Sequence, residues 1–184
     1  PYEDWRLTPQ ERAENLLSFM DASQKAAQMV HLTLVTKKDS WFAKDNVGFA
    51  LVYEYIFDTA EADAEEDEDE KAEGGEAQAV GSARNAARLT NEIQELSESA
   101  ELGIPIIFSM DTEAGAAFVK DATFLPDEIN LGAANDPELT EKYYQVLKEE
   151  LAAMGVRMAL SPDADLITDP RWGRNQECYS EDTQ

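Results

Sequence analysis

The sequence predicts an α/β fold in which parallel strands alternate with helices. Three short apolar runs have the length of strands, at 47–53, 104–110 and 156–160, and a segment with helical periodicity lies between each run and the next. The runs are apolar at consecutive positions, which is typical of strands covered on both faces. Right-handed crossovers place the carboxyl ends of such strands on one side of the sheet, where α/β proteins bind their ligands.

Two short helices are predicted before the first strand. The segment Thr8–Glu11 has an N-cap threonine, a proline in the first turn and a glutamate three residues on. Asp21 and Gln24 form a second capping box, and this helix is predicted to continue through Val30. His31, the single histidine, then falls at the helix end and far from the strand ends. No histidine is therefore placed to act as a catalytic base.

Two longer helices are predicted, one before the second strand and one before the third. Residues 82–100 carry apolar side chains at helical spacing and end before Gly103. Asp136-Pro137 begins the second of these helices, and Gly155 ends it. The apolar face of that second helix comprises Leu139, Tyr143, Val146, Leu147, Leu151 and Met154.

Acidic residues dominate the charge of this 184-residue chain. There are 39 Asp and Glu against 15 Lys and Arg, a net charge of −24, and residues 58–76 alone hold 11 acids and one lysine. We interpret this run as a solvated loop; a calcium site is the alternative, but the spaced ligands and central glycine of a calcium loop are missing. The charge disfavours nucleic acid and anionic membranes as partners.

Composition also limits the cofactors and covalent chemistry that the sequence predicts. No stretch approaches the ~20 apolar residues of a transmembrane helix. Cys178 is the one cysteine, so it has no intramolecular disulfide partner, and it has no nearby histidine to activate it as a nucleophile. No His/Cys cluster suggests a metal, and no glycine-rich loop suggests a nucleotide. The sequence therefore predicts no metal and no cofactor.

Candidate binding residues follow the second and third predicted strands. Asp111 comes directly after 104–110, where a partly desolvated carboxylate can accept hydrogen bonds from a ligand. Arg174 carries a rigid fork of donors suited to vicinal hydroxyls or a carboxylate. Asp165 is expected to be a buried carboxylate that orients an arginine. Trp172 is interpreted as a packing anchor, with stacking on a sugar face as the alternative.

These residues lie in motifs that resemble the N-terminal barrel domain of glycoside hydrolase family 3, a family of retaining exo-acting β-glycosidases. The most specific run is DPRWGRNQECYSED at 169–182. A weaker match, LLSFMDASQKAAQM at 16–29, resembles the family's opening helix. The other matching runs are LGIPIIFSMDTEAG (102–115), LPDEINLGAANDPEL (125–139) and EELAAMGVRMALSPDADL (149–166).

The resemblance implies a role for individual residues. Asp111 falls on the strand-end aspartate that holds sugar hydroxyls in the innermost subsite, and Arg174 falls on the arginine that contacts the same sugar. Both are expected to bind substrate, and neither performs the chemistry. Asp165 is expected to support this site, and three residues of the last motif are expected to fix Arg174: Glu177, Tyr179 and Asp182.

The resemblance leaves the preferred sugar open. Many β-glucosidases of the family have His-Gly where this chain has Ala114-Gly115, and the DTEAG form is closer to the branch that cleaves N-acetylglucosaminides. In contrast, DPRWGRNQE is the β-glucosidase-like form. We expect a β-glucosidase; the alternatives are a β-N-acetylglucosaminidase and a non-catalytic sugar-binding or interaction module.

The predicted fold class is therefore α/β, as part of a (β/α)8 TIM-like barrel with about the first three βα units. Residues 1–184 are expected to form the N-terminal portion of the barrel domain, with an acidic insertion at 58–76. The nucleophile and the acid/base are expected outside this chain, which by itself should be inactive. Its expected partners are a carbohydrate substrate and the rest of the barrel, and a secreted or periplasmic location is favoured.

Overall fold

The computed structural model describes residues 2–34, 37–52, 82–117 and 119–182. The acidic run at 58–76, predicted to be an inserted loop, lies outside these residues. The described part contains a parallel sheet of four strands, β1 (His31–Leu34), β2 (Phe49–Val52), β3 (Ile107–Met110) and β4 (Val156–Ala159). The helices are α1 (Pro9–Phe19), α2 (Ala22–Ala27), α3 (Ala83–Glu98), α4 (Glu128–Ala134) and α5 (Pro137–Ala153), with 3-10 helices at Lys37–Asp45 and Asn175–Glu177.

The strands follow one another across the sheet in chain order, β1-β2-β3-β4, and every pair is parallel. A doubly wound sheet reverses its strand order at a switch point, whereas consecutive parallel strands in one direction form the wall of a TIM-like barrel. The α/β prediction is confirmed, and the order of strands is that of a barrel segment.

The hydrophobic core lies between the sheet and helices α3 and α5. Alternate strand residues point into it and are buried, while those on the other face, which is the interior face in a closed barrel, are mostly exposed or half-exposed, with Ser109 as a buried exception. The buried set includes Leu34, Ala50, Val52, Phe108, Met110 and Val156; the second includes His31, Thr33, Phe49, Leu51 and Ile107.

The predicted number of three strands is wrong, because β1 was missed. We expected α2 to continue through Val30, but it ends at Ala27. The backbone explains the difference: the N–H of Gly48 donates to the carbonyl of Ala27, and the N–H of Phe49 donates to that of Val30. These bonds to the start of β2 replace helical bonds. His31 therefore opens β1 instead of ending a helix.

His31 contacts residues of β2 and β3. It lies at the amino end of β1, and its Nε2 is 2.6 Å from Ser109 Oγ on β3. Its ring also lies 5.8 Å from that of Phe49, centre to centre. The histidine ring therefore reaches from the amino end of β1 across the sheet to Ser109, which lies two residues before Asp111.

The other predicted elements are confirmed. Thr8 and Glu11 form the expected capping box of α1, and Asp21 and Gln24 form that of α2. The helix predicted at 82–100 is α3, and the helix that begins at Asp136-Pro137 is α5. Helix α4 and the first 3-10 helix were not predicted. Each is too short, or too tightly wound, to show two turns of a 3.6-residue period.

Helices α3 and α5 are joined where α5 turns into β4. Thr90 Oγ1 donates to the carbonyl of Met154 at 2.8 Å, which satisfies a helix-end oxygen in the core. Gly155 makes the turn with φ of +84°, and a Cβ at this residue would collide with Thr90 Oγ1. Only glycine fits both the left-handed backbone and the space.

Among the described helices, none is both long enough and apolar enough to cross a bilayer.

We expect Gly155→Ala to lower the free energy of unfolding by about 1–3 kcal/mol, because it adds backbone strain and displaces Thr90 from its bond. Gly173→Ala is the matched control, since a Cβ there meets no atom within 4 Å. The control should change stability by less than about 0.5 kcal/mol. Chemical denaturation of both variants measures the difference, and equal stabilities would contradict the role given to Gly155.

Candidate functional site

The carboxyl ends of β3 and β4 bring the two motif regions together. The N–H of Leu160 donates to the carbonyl of Met110 at 2.9 Å, which extends the pairing of the two strands to their ends. Just beyond, Thr112 Oγ1 and Ser161 Oγ lie 2.5 Å apart. Asp111 stands between Met110 and Thr112 and is half-buried. The predicted strand-end carboxylate therefore lies beside the long loop that follows β4.

Arg174, in that loop, contacts three carboxylates. Its Nε and Nη2 donate to Glu177 Oε2 at 2.8 and 2.5 Å. Its Nη2 also lies 3.7 Å from Glu113 Oε1 and 3.6 Å from Asp163 Oδ2. These partners come from the loop after β3, the start of the loop after β4 and the second 3-10 helix. One guanidinium therefore ties three segments together.

The charges around Arg174 fix its protonation while leaving it accessible. The hydrogen bond to Glu177, and then the charges of Glu177 and Asp163, raise the pKa of Arg174 above its usual value. Its side chain is 54% exposed, whereas that of Glu177 is 11% exposed. Arg174 is thus held from behind, and the rest of its donor fork can meet a ligand.

The pKa of the Glu113 carboxyl is raised. Burial is the largest cause, and the negative charges of Asp111 and Glu177 add to it. Arg174 opposes the rise. The negative charge of Asp111 therefore acts on one member of the Arg174 cluster, which we define as Arg174, Glu113, Asp163 and Glu177.

The loop that carries Arg174 is fixed by backbone bonds on both sides. The N–H of Asp163 donates to the carbonyl of Glu177 at 3.2 Å, and that of Ile167 donates to the carbonyl of Ser180 at 3.1 Å. Asn175 Nδ2 closes the loop on itself by donating to the carbonyl of Asp169 at 3.1 Å. The loop is therefore paired with the chain that leaves β4.

Tyr179 attaches the same loop to the helices. Its hydroxyl lies 2.6 Å from that of Tyr144 on α5. Its backbone packs against α4 at Gly132, where a Cβ would collide with the Tyr179 carbonyl oxygen. The close approach of α4 to residues 175–179 therefore requires glycine at 132.

The predicted site residues divide into those that meet at Arg174 and those that do not. Glu177 binds Arg174 directly, and Tyr179 anchors the loop. Asp182 is exposed, and its N–H donates to Ser180 Oγ. Trp172 is 41% exposed, so it is only partly packed. The charge of Asp111 acts on Glu113, a member of the Arg174 cluster.

Asp165 requires a correction. We expected a buried carboxylate that orients an arginine, but Asp165 is exposed. Asp163, two residues earlier, is half-buried and contacts Arg174. Asp163 pairs through its backbone with Glu177 and Cys178, which directs it toward the loop. The sequence alone did not reveal this pairing.

Sequence reasoning also missed Glu113, Tyr144 and Glu128. Glu113 stood in the DTEAG motif, and its place two residues after Asp111 was a usable signal because both follow the same strand. Tyr144 and Glu128 gave no such signal, since their roles depend on how α4 and α5 pack.

Glu128 is fully buried at the start of α4. Neither of its carboxyl oxygens has a hydrogen-bond partner among the described residues. Burial is the main cause that raises the pKa of Glu128 to about 7, and the charges of Glu113, Asp127 and Glu177 add to it. The backbone N–H of Glu128 does not have the geometry of a hydrogen bond to this carboxyl. It lowers the pKa of Glu128, but by less than burial raises it.

The described residues offer neither a metal site nor an activated thiol. No group of three or more His, Cys, Asp or Glu side chains in ranges 2–34, 37–52, 82–117 and 119–182 is arranged to hold a metal ion. Cys178 is buried, which raises the pKa of its thiol, and the charges of Asp163, Asp165 and Glu177 raise it further. The thiol therefore stays protonated and unreactive at neutral pH.

A barrel-type sheet with charged groups at its carboxyl ends defines this chain as an α/β domain of the class that binds ligands there. The family model described as "Glycosyl hydrolase family 3 N terminal domain" matches residues 24–184. The chain belongs to this family, and it folds as part of the family's TIM-like barrel.

Two relatives agree with the family. The chain is 32% identical over 201 residues to a "Periplasmic beta-glucosidase/beta-xylosidase" of Dickeya chrysanthemi, covering 99% of this chain and 27% of that protein. It is 31% identical over 189 residues to a "Probable beta-glucosidase C" of Aspergillus oryzae, covering 99% and 28%. The chain therefore spans about a quarter of the length of these relatives.

A solved structure shows the same fold. The exo-1,3/1,4-beta-glucanase from a Pseudoalteromonas species superposes with a TM-score of 0.75 at 27% identity, covering 95% of this chain and 20% of that protein. A family 3 beta-N-acetylglucosaminidase from a Paenibacillus species superposes with a TM-score of 0.62 at 21% identity, covering 80% and 25%, a likeness of fold alone.

We expect Gly132→Ala to loosen the Arg174 loop, because the added methyl collides with the Tyr179 carbonyl and forces α4 away. Hydrogen exchange should show lower protection in residues 174–180. Ala133→Ser, at an exposed neighbour on the same helix, is the control. Unchanged protection in Gly132→Ala would mean that α4 does not hold this loop.

Proposed function

We propose that this chain is the first part of the barrel domain of a retaining exo-β-glycosidase that removes a non-reducing-end sugar, with β-glucosides as the preferred substrates. The observation that carries the proposal is the Arg174 cluster at the carboxyl ends of β3 and β4, beside Asp111. A half-exposed guanidinium held by one buried and two half-buried carboxylates is a preformed donor for the hydroxyls of a neutral sugar.

The proposed roles are those of substrate binding. Asp111 accepts hydrogen bonds from sugar hydroxyls, and Arg174 donates to the same sugar from the next strand's loop. Glu177, Glu113 and Asp163 hold the guanidinium so that little side-chain entropy is lost when the sugar binds. Tyr179 and Asp182 complete the loop that supports Arg174.

The reaction itself requires groups beyond those assigned here. A retaining glycosidase uses two carboxyl groups about 5–5.5 Å apart, one as nucleophile and one as acid/base. In this proposal both are supplied by the rest of the enzyme, which is either further sequence or a second polypeptide. Residues 1–184 then form the N-terminal portion of the barrel domain, with 58–76 as an acidic insertion. The acidic insertion favours neutral over anionic sugars.

Several relatives bear on substrate and location. The Dickeya protein is named for both beta-glucosidase and beta-xylosidase activity. It is called periplasmic, and so is a beta-glucosidase of Salmonella typhimurium that is 29% identical to this chain. We propose a periplasmic or secreted location.

A panel of nitrophenyl β-glucoside, β-xyloside and β-N-acetylglucosaminide with the intact enzyme tests the substrate preference. Hydrolysis of the N-acetylglucosaminide alone would overturn the glucosidase assignment, and hydrolysis of none would overturn the proposal.

Arg174→Ala in the intact enzyme should lower kcat/KM by roughly 10- to 100-fold, equivalent to losing about 1.5–3 kcal/mol of charged hydrogen bonding to the sugar. Arg171→Ala is the control, because Arg171 is 88% exposed and pairs only locally with Asp169. Steady-state kinetics with circular dichroism as a check on folding measures both. An unchanged kcat/KM in the folded Arg174 variant would contradict the assigned role.

The isolated 184-residue chain is expected to have no hydrolase activity, because the proposal assigns the nucleophile and the acid/base to the rest of the enzyme. Incubation of the pure chain with nitrophenyl β-glucoside, after its intact mass is confirmed, measures this directly. Turnover above that of a mock preparation would show that the chain carries its own catalytic pair.

A further inference from the structure

The carboxyl of Glu128 is a buried group that the proposed sugar-binding role does not use. Its residue is 0% exposed, and both oxygens lack hydrogen-bond partners among the described residues. An isolated carboxylate in such a place is strongly destabilised, because it has lost water and gained no partner. A neutral carboxylic acid is destabilised far less. The environment of Glu128 therefore favours a bound proton.

The groups around Glu128 reinforce this preference. Glu113 comes from the loop after β3, Asp127 precedes Glu128 at the start of α4, and Glu177 comes from the second 3-10 helix; all three raise the pKa of Glu128, which reaches about 7. Arg174, the nearby cation of the cluster, is already engaged by Glu113 and Glu177. The other titratable groups near Glu128 are Tyr143 and Tyr144 on α5 and Tyr179 in the loop after β4.

These tyrosines do not supply a compensating charge. Burial, and then the charge of Glu128, raises the pKa of Tyr143 to about 12, and its hydroxyl donates to the carbonyl of Pro126. Tyr144 and Tyr179 bond to each other. Burial, followed by that bond, raises the pKa of Tyr144. Neither Tyr143 nor Tyr144 therefore donates a hydrogen bond to the Glu128 carboxyl.

The position of Glu128 links its charge to the Arg174 loop. It is the first residue of α4, whose Gly132 packs on the backbone of Tyr179. Glu113 and Glu177, whose charges act on Glu128, are two of the three carboxylates that contact Arg174. A negative charge on Glu128 would repel both of them and push α4 from the loop.

We propose that Glu128 is a positioning residue that acts in its protonated form: the neutral carboxyl lets α4 pack on residues 174–180, and loss of the proton loosens that loop. The effect on turnover rests on the proposed function, whereas the effect on the loop does not. Glu128 touches no substrate and acts only through Glu113, Glu177 and the packing of Gly132.

The direction of the pH effect follows from the raised pKa. In the unfolded chain Glu128 titrates near its ordinary value of 4.5, and in the folded protein near 7. The folded state binds the proton more tightly, so this contribution to stability is fully present below about pH 4.5 and is lost as pH rises through about 7. Packing of α4 on the loop should weaken over the same interval.

Glu128→Gln in the intact protein removes the titration while keeping the size of the side chain. Hydrogen exchange, expressed as protection factors, should show that residues 174–180 of the wild type lose at least about tenfold in protection between about pH 5.5 and pH 8. The variant should lose little over this interval. Glu149→Gln on α5, an exposed glutamate, is the matched control and should behave like the wild type. Equal pH dependence in Glu128→Gln and the wild type would overturn the proposal.

A second measurement separates this proposal from the glycosidase assignment. If the enzyme hydrolyses β-glucosides, the fall of kcat/KM at alkaline pH should move to higher pH in Glu128→Gln, chiefly through KM. An unmoved alkaline limb, together with an unmoved protection profile, contradicts the role of Glu128. If no hydrolysis is found, the protection factors alone decide, because they do not depend on a substrate.

A third approach covers the case in which Glu128→Gln fails to fold because its amide is left without acceptors. Glu128→Met replaces the carboxyl by an uncharged side chain of similar length and should show the same flat protection profile.

The wild type itself provides the last check. Infrared difference spectra against Glu128→Met should contain the band of a protonated carboxylic acid at about pH 6 that fades by about pH 8, and its absence at the lower pH would overturn the proposal.

Discussion

The ion pairs of Arg174 are the constraint on which the candidate site depends. Its guanidinium is shared by Glu113, Asp163 and Glu177, which belong to three separate segments of the chain. Without a cation, three carboxylates gathered around one point would repel one another. The loops after β3 and β4 therefore converge because one positive charge offsets the negative charges that they bring. This balance is local, although the chain as a whole carries a net charge of −24.

Packing makes this electrostatic arrangement specific. The sheet sets the strand ends side by side, and α5 and α4 support the loop from outside through Tyr144 and Gly132. A long, half-exposed arginine is thereby restricted to one region of the surface, which lowers the entropy that a ligand must overcome. The unfavourable part of the arrangement is the burial of the Glu128 carboxyl, which has no hydrogen-bond partner among the described residues.

The open sheet explains how the domain relates to its longer relatives. One face of the strands is covered by α3 and α5, while Ile107 on the other face is 41% exposed. In a closed barrel that second face is filled by side chains from strands around the ring. The chain spans about a quarter of its curated relatives. The described fold therefore fits a segment of the barrel wall. Its polar residues His31 and Ser109 form a hydrogen bond on the side of the sheet that faces the barrel interior.

The sequence by itself determined the helices with strong caps, three of the four strands, the family and the positions of Asp111 and Arg174. These features depend on near neighbours in the chain or on motifs with fixed spacing. Only the tertiary structure decided the rest. Strand β1 depends on hydrogen bonds to the distant start of β2, which cut α2 short. Asp163 replaced Asp165 as the partner of Arg174 because pairing between residues 163 and 178 turned it inward. Glu128 is buried where α4 packs against the loop that carries Arg174. Burial and long-range pairing are properties of the folded chain, so local sequence patterns could not reveal them.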